Sequence, residues 1–239
     1  MDKEKDMLDR ARLLLGDVAM SEMDRVRVII FGVGGVGSWC AESLVRSGVR
    51  HLTIVDSDVV CATNINRQLM ATTETVGQVK VDALKAHLLT VNPAAEIDAR
   101  REVFTAATAD SFRLDEYDYI IDAIDSLRDK MTLIETACRT QARFFSSMGA
   151  ALKLDPTRVR VAEFWRVEGC PLARALRQRF KKAKTRPARK FMCVYSEERL
   201  ENIQPSGDGH ANGSLMHITA IFGLTIAGLV IRDIAGRKE

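Results

Sequence analysis

A turn rich in glycine has the spacing of a phosphate-binding loop. Gly32, Gly34 and Gly37 match the pattern G-x-G-x-x-G, with Gly35 between them. The first glycine permits a tight turn, the second lets the backbone approach a phosphate, and the third lets the next helix pack closely. That helix begins with free N–H groups and the positive end of its dipole, which attract an anion. Asp56 follows 19 residues after Gly37, where an acid binds ribose hydroxyls. The pattern predicts nucleotide binding, with a purely structural turn as the alternative.

Two cations and a further acid favour a triphosphate over a nicotinamide cofactor. A hydride-transfer enzyme holds only a diphosphate, for which a glycine turn suffices. Arg67 and Lys80 suit ATP, because its pyrophosphate leaving group must be stabilised during transfer. Asp125 follows a later predicted strand and offers the oxygen ligand that Mg²⁺ prefers. Each residue alone has an ordinary alternative, a surface cation for the first two and a helix N-cap for Asp125. Together they predict a site for ATP and Mg²⁺.

Alternating strands and helices are expected to bring these residues together. The pattern predicts strands over 26–31, 51–55, 96–102, 117–122 and 142–148, and helices over 1–24, 38–47, 77–90 and 129–141. Such alternation is typical of an α/β fold with a Rossmann-like, doubly wound, mostly parallel sheet. Because the carboxyl ends of its strands converge on one crevice, the residues above are expected to line it.

The pattern changes after Ala150. We therefore predict an ATP-binding, Rossmann-like domain with an N-terminal helix over 1–150, and a small C-terminal extension over 151–239 packed on the same core. The extension is expected to contain a strand over 159–165, a basic segment and an apolar helix over 215–231. That last run has 17 residues, and a membrane-spanning helix needs about 20. A core helix is therefore favoured, with peripheral membrane contact as the alternative.

The basic segment predicts a polyanionic partner. No acid occurs between Gly169 and Ser196, although the whole chain has 35 Lys and Arg against 32 Asp and Glu. Clustered cations bind a phosphodiester backbone, and a solvated charge run without a partner is the alternative. Phe180 and Phe191 flank the run and either stack on an exposed base or anchor the segment to the core. The cations predicted to contact nucleic acid are Arg174, Arg177, Arg179, Lys181, Lys182, Lys184 and Arg186, and Arg189 and Lys190 complete the run.

The composition is that of a globular protein in a reducing compartment. The chain has 239 residues, of which 46% are hydrophobic and 28% charged, and this balance excludes a disordered chain. Five cysteines without a Cys-x-x-Cys pair argue against a zinc ribbon or a thioredoxin-type site. The first residues are charged and lack the apolar run of a signal peptide. We therefore predict a cytoplasmic protein with reduced thiols.

The ordered motifs over 32–125 resemble the adenylyltransferase superfamily of ubiquitin-activating enzymes and their ThiF-like bacterial relatives in molybdopterin and thiamin synthesis. The resemblance implies ATP with Mg²⁺, a carboxylate substrate, an acyl-adenylate product and pyrophosphate as the leaving group. It also implies a homodimer. The motifs are Gly32-x-Gly34-Gly35-x-Gly37, Asp56-x-Asp58, Asn64-x-x-Arg67-Gln68, Gly77-x-x-Lys80, Asn92-Pro93 and Asp122-x-x-Asp125-Ser126.

Matched by position, the resemblance assigns a role to each motif residue. It implies that the glycines and Asp56 hold the nucleoside, with Asp58 beside them, and that Asn64 and Arg67 surround the phosphates. Lys80 would hold the β and γ phosphates, and Asp125, next to Ser126, the metal. Arg12 resembles the arginine that these dimers insert into the ATP site of the partner.

Within the superfamily, the segments 34–39, 122–126, 170–173, 193–198 and 213–223 look most like the tRNA threonylcarbamoyladenosine dehydratases. The implied reaction is adenylation of a threonyl carboxylate on a modified adenosine of tRNA, followed by ring closure. Cys193 is either an acyl relay or a small core residue. A sulfur-relay protein is a further possible partner. The alternatives are an adenylyltransferase for a ubiquitin-like sulfur carrier, whose usual four-cysteine zinc site is missing, a nicotinamide oxidoreductase, and a non-catalytic tRNA-binding module.

Overall fold

The computed structural model describes residues 3–204 and 211–236, with side chains from residue 7 onward. Six helices and seven strands alternate along this part of the chain, joined by short 3-10 turns. They are α1 (Lys3–Arg25), β1 (Arg27–Phe31), α2 (Gly37–Arg46), β2 (His51–Val55), α3 (Lys80–Val91), β3 (Glu96–Arg100), β4 (Tyr119–Asp122), α4 (Leu127–Ala137), β5 (Arg143–Ser147), β6 (Val159–Glu163), α5 (Pro171–Ala183), β7 (Met192–Ser196) and α6 (Met216–Ile234).

All seven strands form one sheet in the order β3-β2-β1-β4-β5-β7-β6. Every neighbouring pair is parallel except β6 and β7, which are antiparallel. The strand order reverses between β1 and β4, and at such a switch point a crevice opens at the carboxyl ends of the strands. The predicted α/β, doubly wound, mostly parallel sheet is confirmed.

Alternate side chains of the central strands build a core on each face of the sheet. Val28 and Ile30 face one core with α2, α3 and α6, whereas Ile29 and Phe31 face the other with α4 and α5. All four are fully buried, which explains the continuous apolar run of β1. The glycine turn follows this strand directly, so a rigid element fixes its position.

Helix α6 is a core helix, as predicted. It packs along α2, where a Cβ on Gly223 would lie 2.3 Å from the Val36 carbonyl oxygen, and Phe222 and Ile226 are fully buried. By length and composition Met216–Ile234 could also cross a membrane, although half of its most apolar stretch is buried inside the fold. Peripheral membrane contact stays an untested prediction.

Several predicted boundaries were wrong for identifiable reasons. Helix α3 begins at Lys80 rather than Gly77, because Gly77 adopts φ 88° in a turn and its N–H binds the Val60 carbonyl oxygen. A non-helical Gly16, with φ 81°, interrupts the long first helix. Helix α4 ends at Ala137, four residues before its predicted end at residue 141.

The basic segment contains two elements that the sequence analysis did not predict. Its first half forms α5, and its end leads into β7, which lies between β5 and β6. Residues on both sides of position 150 therefore contribute strands to the same sheet. The division into 1–150 and 151–239 stays a prediction.

Candidate active site

A cavity of about 900 Å³ opens at the switch point of the sheet. Its walls come from the segments that follow the carboxyl ends of β1, β2, β4 and β5, together with the N-terminus of α5 and one turn of α6. Of the predicted site residues it is lined by Gly32, Gly34, Gly35, Asp56, Asp58, Arg67, Lys80, Asp125 and Ser126. Residues distant in sequence are thus brought together as the topology predicted.

The glycine turn is packed so tightly that two of its glycines are required by contact. A Cβ on Gly37 would lie 1.9 Å from the Gly32 carbonyl oxygen, and one on Gly32, whose φ is 83°, would lie 2.7 Å from the Ala123 carbonyl oxygen. Gly37 therefore closes the turn and is not among the lining residues. Gly34 and Gly35 line the cavity, where a Cβ would lie 3.7 Å from Gln68 Nε2 and 3.1 Å from Thr219 Cβ.

Asp56 organises the turn by accepting two backbone hydrogen bonds. Its Oδ2 accepts from the Val33 N–H at 2.9 Å, and its Oδ1 from the Asp58 N–H at 3.0 Å. The carboxylate is thereby fixed between the ends of β1 and β2, at the position where the sequence predicts a ribose contact.

Lys80 is a buried cation that is already paired. Only 7% of it is exposed, and its Nζ lies 2.7 Å from Asp58 Oδ2 and 3.9 Å from Asp56 Oδ1. Asp58 itself is largely exposed, so this pair joins a buried cation to a carboxylate that reaches solvent.

Arg67 lines the cavity, but Asn64 does not. The Arg67 Nη1 donates to the Thr63 carbonyl oxygen at 2.8 Å, and its own carbonyl accepts from Trp39 Nε1 at 3.0 Å. The Asn64 side chain instead accepts from the Cys61 N–H at 3.0 Å and caps a short 3-10 turn. This places Asn64 behind the loop that carries Arg67.

Two carboxylates lie at the start of α4. Asp125 is exposed and forms no hydrogen bond with the residues described. Asp129 is buried and accepts from Ser126 Oγ and Arg128 Nε, each at 2.9 Å. Burial raises the pKa of Asp129, but these hydrogen bonds outweigh it and hold the pKa below its ordinary value. Asp125 is therefore the carboxylate that is open to a metal.

The chemistry of this donor set fits Mg²⁺. The ion commonly takes one or two protein carboxylates and completes its shell with phosphate oxygens and water. Within the described residues, no three His, Cys, Asp or Glu side chains are grouped as a metal cluster. Asp125 is therefore the residue of this cavity that could contribute a carboxylate to such a shell.

A fully buried ion pair, which the sequence analysis did not recognise, supports the loop below the cavity. Lys130 Nζ lies 2.8 Å from Asp122 Oδ2 and donates to the Ile124 carbonyl oxygen at 3.0 Å. Asp122 also accepts from Ser146 Oγ at 2.7 Å and from the Ile124 N–H at 3.1 Å. Four contacts thus fix the loop that presents Asp125.

Arg12 lies outside the cavity of its own chain. On α1, its Nη1 pairs with Asp17 Oδ1 at 2.7 Å. Leu13, Leu14 and Val18 nearby are 67–87% exposed. The predicted insertion into a partner's site stays a prediction.

Cys193 is not placed to carry an acyl group. It is fully buried in β7 and is absent from the cavity wall, and burial raises the pKa of its thiol well above the ordinary value. A buried neutral thiol is a poor nucleophile. Of the two alternatives, the position of Cys193 supports the core residue.

The basic segment presents six of its predicted contacts to solvent, namely Arg174, Arg179, Lys181, Lys182, Lys184 and Arg186. Two other cations hold the fold. Arg177 Nη1 donates to the carbonyl oxygens of Phe164 and Val167 at 3.0 and 2.9 Å, and Arg189 donates to those of Ala137 and Ala142. Arg177 is therefore half-buried and bonded to the fold, and its contact with nucleic acid stays a prediction.

Of the two alternatives for the aromatic residues that flank the basic run, anchoring to the core is the one that the structure supports. Phe180 and Phe191 are at most 5% exposed and pack in the core. Trp165 is the aromatic ring at this surface, 43% exposed, with the Arg186 guanidinium 5.6 Å from the ring centre. It lies in a turn held against α5 by Arg177, which sequence spacing could not reveal.

Lys153 is a further cavity residue that the sequence analysis missed. It is 6% exposed, and its Nζ donates to the Glu198 carbonyl oxygen at 2.6 Å. A single lysine in a run of small apolar residues carries no pattern, so only the fold reveals its position.

The strand order and the glycine turn at its switch point define a nucleotide-binding protein of the doubly wound α/β class. The profile of the ThiF family matches residues 8–239, and the chain belongs to that family. It is 34% identical over 238 residues to the tRNA threonylcarbamoyladenosine dehydratase of Bacillus subtilis (strain 168), covering 94% of this chain and 93% of the relative. The predicted resemblance is confirmed.

Solved structures agree in fold over the whole chain. The crystal structure of the E. coli tRNA N6-threonylcarbamoyladenosine dehydratase TcdA in complex with AMP is similar with a TM-score of 0.88 and 30% identity, covering 100% of this chain and 98% of that one. The same protein in complex with ATP gives a TM-score of 0.87, also with 30% identity, and the coverage is 100% and 99%.

Proposed function

We propose that this protein is an ATP-dependent dehydratase that cyclises threonylcarbamoyladenosine in tRNA. One observation carries the proposal: a single cavity joins residues of the glycine turn, Asp56, Arg67, Lys80 and Asp125 to the N-terminus of the basic helix. Pro171 and Leu172, at the start of α5, line the same cavity as Gly35 and Lys80. The names of the relatives and the nucleotides bound in TcdA support the same activity.

The first chemical step is transfer of AMP to the substrate. An oxygen of the threonyl carboxylate attacks the α-phosphorus of ATP, and the bond to pyrophosphate breaks. Lys80 is proposed to move from Asp58 to the β and γ phosphates, where it stabilises the leaving group. Asp56 holds the ribose, and Arg67 contacts the phosphate chain from the opposite wall.

The second step needs no catalytic nucleophile from the protein. The carbamoyl group of the substrate attacks the activated carbonyl carbon and gives up a proton to solvent, and the ring closes as the bond to AMP breaks. Over both steps the substrate loses the elements of water while ATP becomes AMP and pyrophosphate. The burial of Cys193 is consistent with a nucleophile that belongs to the substrate.

Mg²⁺ is proposed to bind with ATP at Asp125. The metal would neutralise charge on the phosphates as the leaving group departs. The rigid support of this loop by the Asp122–Lys130 pair keeps the carboxylate in place.

The exposed cations of α5 are proposed to hold the tRNA. The helix has 13 residues and is about 20 Å long, and it begins at the cavity, where Pro171 and Leu172 are lining residues. Trp165 and Arg186 form a stacking surface for an unpaired base on the same side. A sulfur-carrier adenylyltransferase would not need this surface.

We further infer that the protein is a homodimer in the cytoplasm. The exposed Leu13, Leu14 and Val18 on α1 suit an isologous interface, which would carry Arg12 toward a second copy. The possible sulfur-relay partner is not needed for the two steps above.

The decisive experiment is an incubation with ATP, Mg²⁺ and tRNA that carries threonylcarbamoyladenosine. Nucleoside mass spectrometry should detect loss of water together with AMP formation. The Asp125→Ala variant is the matched control, because it should bind the tRNA and form no AMP. An unchanged modified nucleoside in the presence of the wild-type protein would refute the proposed activity.

A further inference from the structure

The active-site cavity has two differently lined parts. Acidic and basic side chains of the nucleotide motifs surround the part near β1 and β2. The part beyond β5, three strands and about 14 Å from β2, is lined mainly by small and apolar groups such as Ala150 and Leu172. Among the described lining residues of this second part, Lys153 is the only charged one.

Lys153 has bonding capacity left over. An ammonium group has three donors, and the described residues supply one hydrogen-bond acceptor, the Glu198 carbonyl oxygen at 2.6 Å. The side chain is only 6% exposed, and Lys153 is one of the residues that line the cavity. Burial also lowers the pKa of Lys153 below its ordinary value, although Cys170 and Glu198 act in the opposite direction.

The segment that carries Lys153 is held firmly on both sides. The Glu198 carboxylate accepts from the backbone N–H groups of Leu154 and Asp155 at 2.8 and 3.0 Å. The Leu152 N–H donates to the Gly213 carbonyl oxygen at 2.9 Å, and the Leu152 carbonyl accepts from the Leu200 N–H at 3.0 Å. The backbone that carries Lys153 into the cavity wall is therefore fixed on both sides.

We propose that Lys153 binds the substrate carboxylate and aligns it for attack on the α-phosphorus of ATP. The inference rests on the proposed function. A carboxylate approaching a triphosphate meets repulsion, and a fixed cation on the side away from the phosphates relieves it. The small apolar groups beside Lys153 suit the aliphatic part of a threonyl group. The lysine keeps its protons throughout, because adenylation of a carboxylate transfers none.

The alternative is that Lys153 has only a structural role, in which its hydrogen bond to the Glu198 carbonyl oxygen connects two segments of the chain. A thermodynamic cycle separates the two roles by comparing tRNA that carries threonylcarbamoyladenosine with the same tRNA lacking the modification. Binding of both is measured by fluorescence anisotropy with an ATP analogue that cannot release pyrophosphate. The proteins are the wild type, Lys153→Met, Lys153→Arg and Glu198→Gln, the last of which weakens the segment but leaves the ammonium in place.

We expect the wild type to prefer the modified tRNA and Lys153→Met to lose about tenfold to hundredfold of that preference, the range for a charge-assisted hydrogen bond. ATP binding by calorimetry should be unchanged. Lys153→Arg should keep part of the preference, and Glu198→Gln should keep all of it with a lower melting temperature. Equal weakening of both tRNAs by Lys153→Met, or loss of the preference in Glu198→Gln, would overturn the inference.

A second measurement uses the unaltered enzyme and so does not depend on any variant folding. Reductive methylation followed by mass spectrometry reports how accessible each lysine is. Modified tRNA should protect Lys153 more than unmodified tRNA does, whereas Lys85 on α3 should react equally in both. Equal labelling of Lys153 with the two tRNAs would contradict the proposal. A wild type that neither distinguishes the tRNAs nor forms AMP would instead count against the proposed function.

Discussion

The buried lysines in and below the cavity and the exposed cations of α5 are held in opposite ways. Lys80, Lys130 and Lys153 are each at most 7% exposed and bonded to defined oxygen atoms. The α5 cations, such as Arg179 and Lys182, stand in solvent on a helix. Buried charges act through fixed geometry and are screened little by salt, whereas exposed charges act over a distance and are screened strongly. The two regions are thus suited to different tasks, chemistry in one and capture of a polyanion in the other.

The largest effect should come from breaking the buried pair below the cavity. Lys130→Met leaves the Asp122 carboxylate buried without its cation, which typically costs about 3–5 kcal/mol of stability. Urea denaturation measures the loss. The double variant Asp122→Asn with Lys130→Met should recover part of it, because no uncompensated charge remains. If Lys130→Met is as stable as the wild type, pairing with Lys130 does not stabilise the buried Asp122 carboxylate.

Lys80→Ala tests whether a fixed cation recognises a particular phosphate group. ATP affinity should fall by about tenfold or more, the value of a charge-assisted hydrogen bond, while AMP affinity changes far less. Calorimetric titration with both nucleotides measures the difference. Lys85→Ala, on the same helix but outside the cavity lining, is the control. If Lys80→Ala weakens the binding of ATP and of AMP equally, Lys80 does not contact the β and γ phosphates.

The residues of the cavity were predicted from the sequence better than those of the exposed surface on α5, for a physical reason. The glycine turn, Asp56 and Lys80 lie within or beside one βαβ unit, where spacing along the chain determines spacing in the fold. Asp125 was also predicted, because parallel strands end at a common edge. Asn64 has the expected type and order, but its side chain caps its own turn.

The residues that were missed depend on contacts between distant segments. Lys153 meets residue 198, and the turn with Trp165 is fixed by Arg177 on α5. β7 lies in a stretch dominated by charge, so its burial in the sheet follows from β5 and β6 rather than from its own flanks. Charge alone likewise could not separate Arg177, which holds the fold, from its exposed neighbours.

The exposed region should be recognised by its response to salt. The triple variant Arg179→Ala, Lys181→Ala, Lys182→Ala removes up to three phosphate contacts, each worth about 0.7–0.9 in the slope of log affinity against log salt. The slope for tRNA binding should become shallower by about two to three, with ATP binding unchanged. Arg177→Ala is the matched control, because it should lower stability and leave the slope intact. An unchanged slope in the triple variant would show that these three cations do not contact tRNA phosphates and that the segment is a solvated charge run.

The smallest effect should come from Trp165, which belongs to the exposed region but carries no charge. Trp165→Ala should weaken tRNA binding by about 1 kcal/mol, the lower end for base stacking, because the ring is only 43% exposed. The salt slope should stay the same, which distinguishes stacking from a phosphate contact, and Trp165→Phe should retain most of the affinity. The chain has two tryptophans, so in a Trp39→Phe background the fluorescence comes from Trp165 alone and should be quenched when tRNA binds. The result against stacking is an unchanged tRNA affinity of Trp165→Ala together with Trp165 fluorescence that tRNA does not quench. In that case the exposed region binds tRNA through charge alone, and any recognition of a base takes place in the cavity.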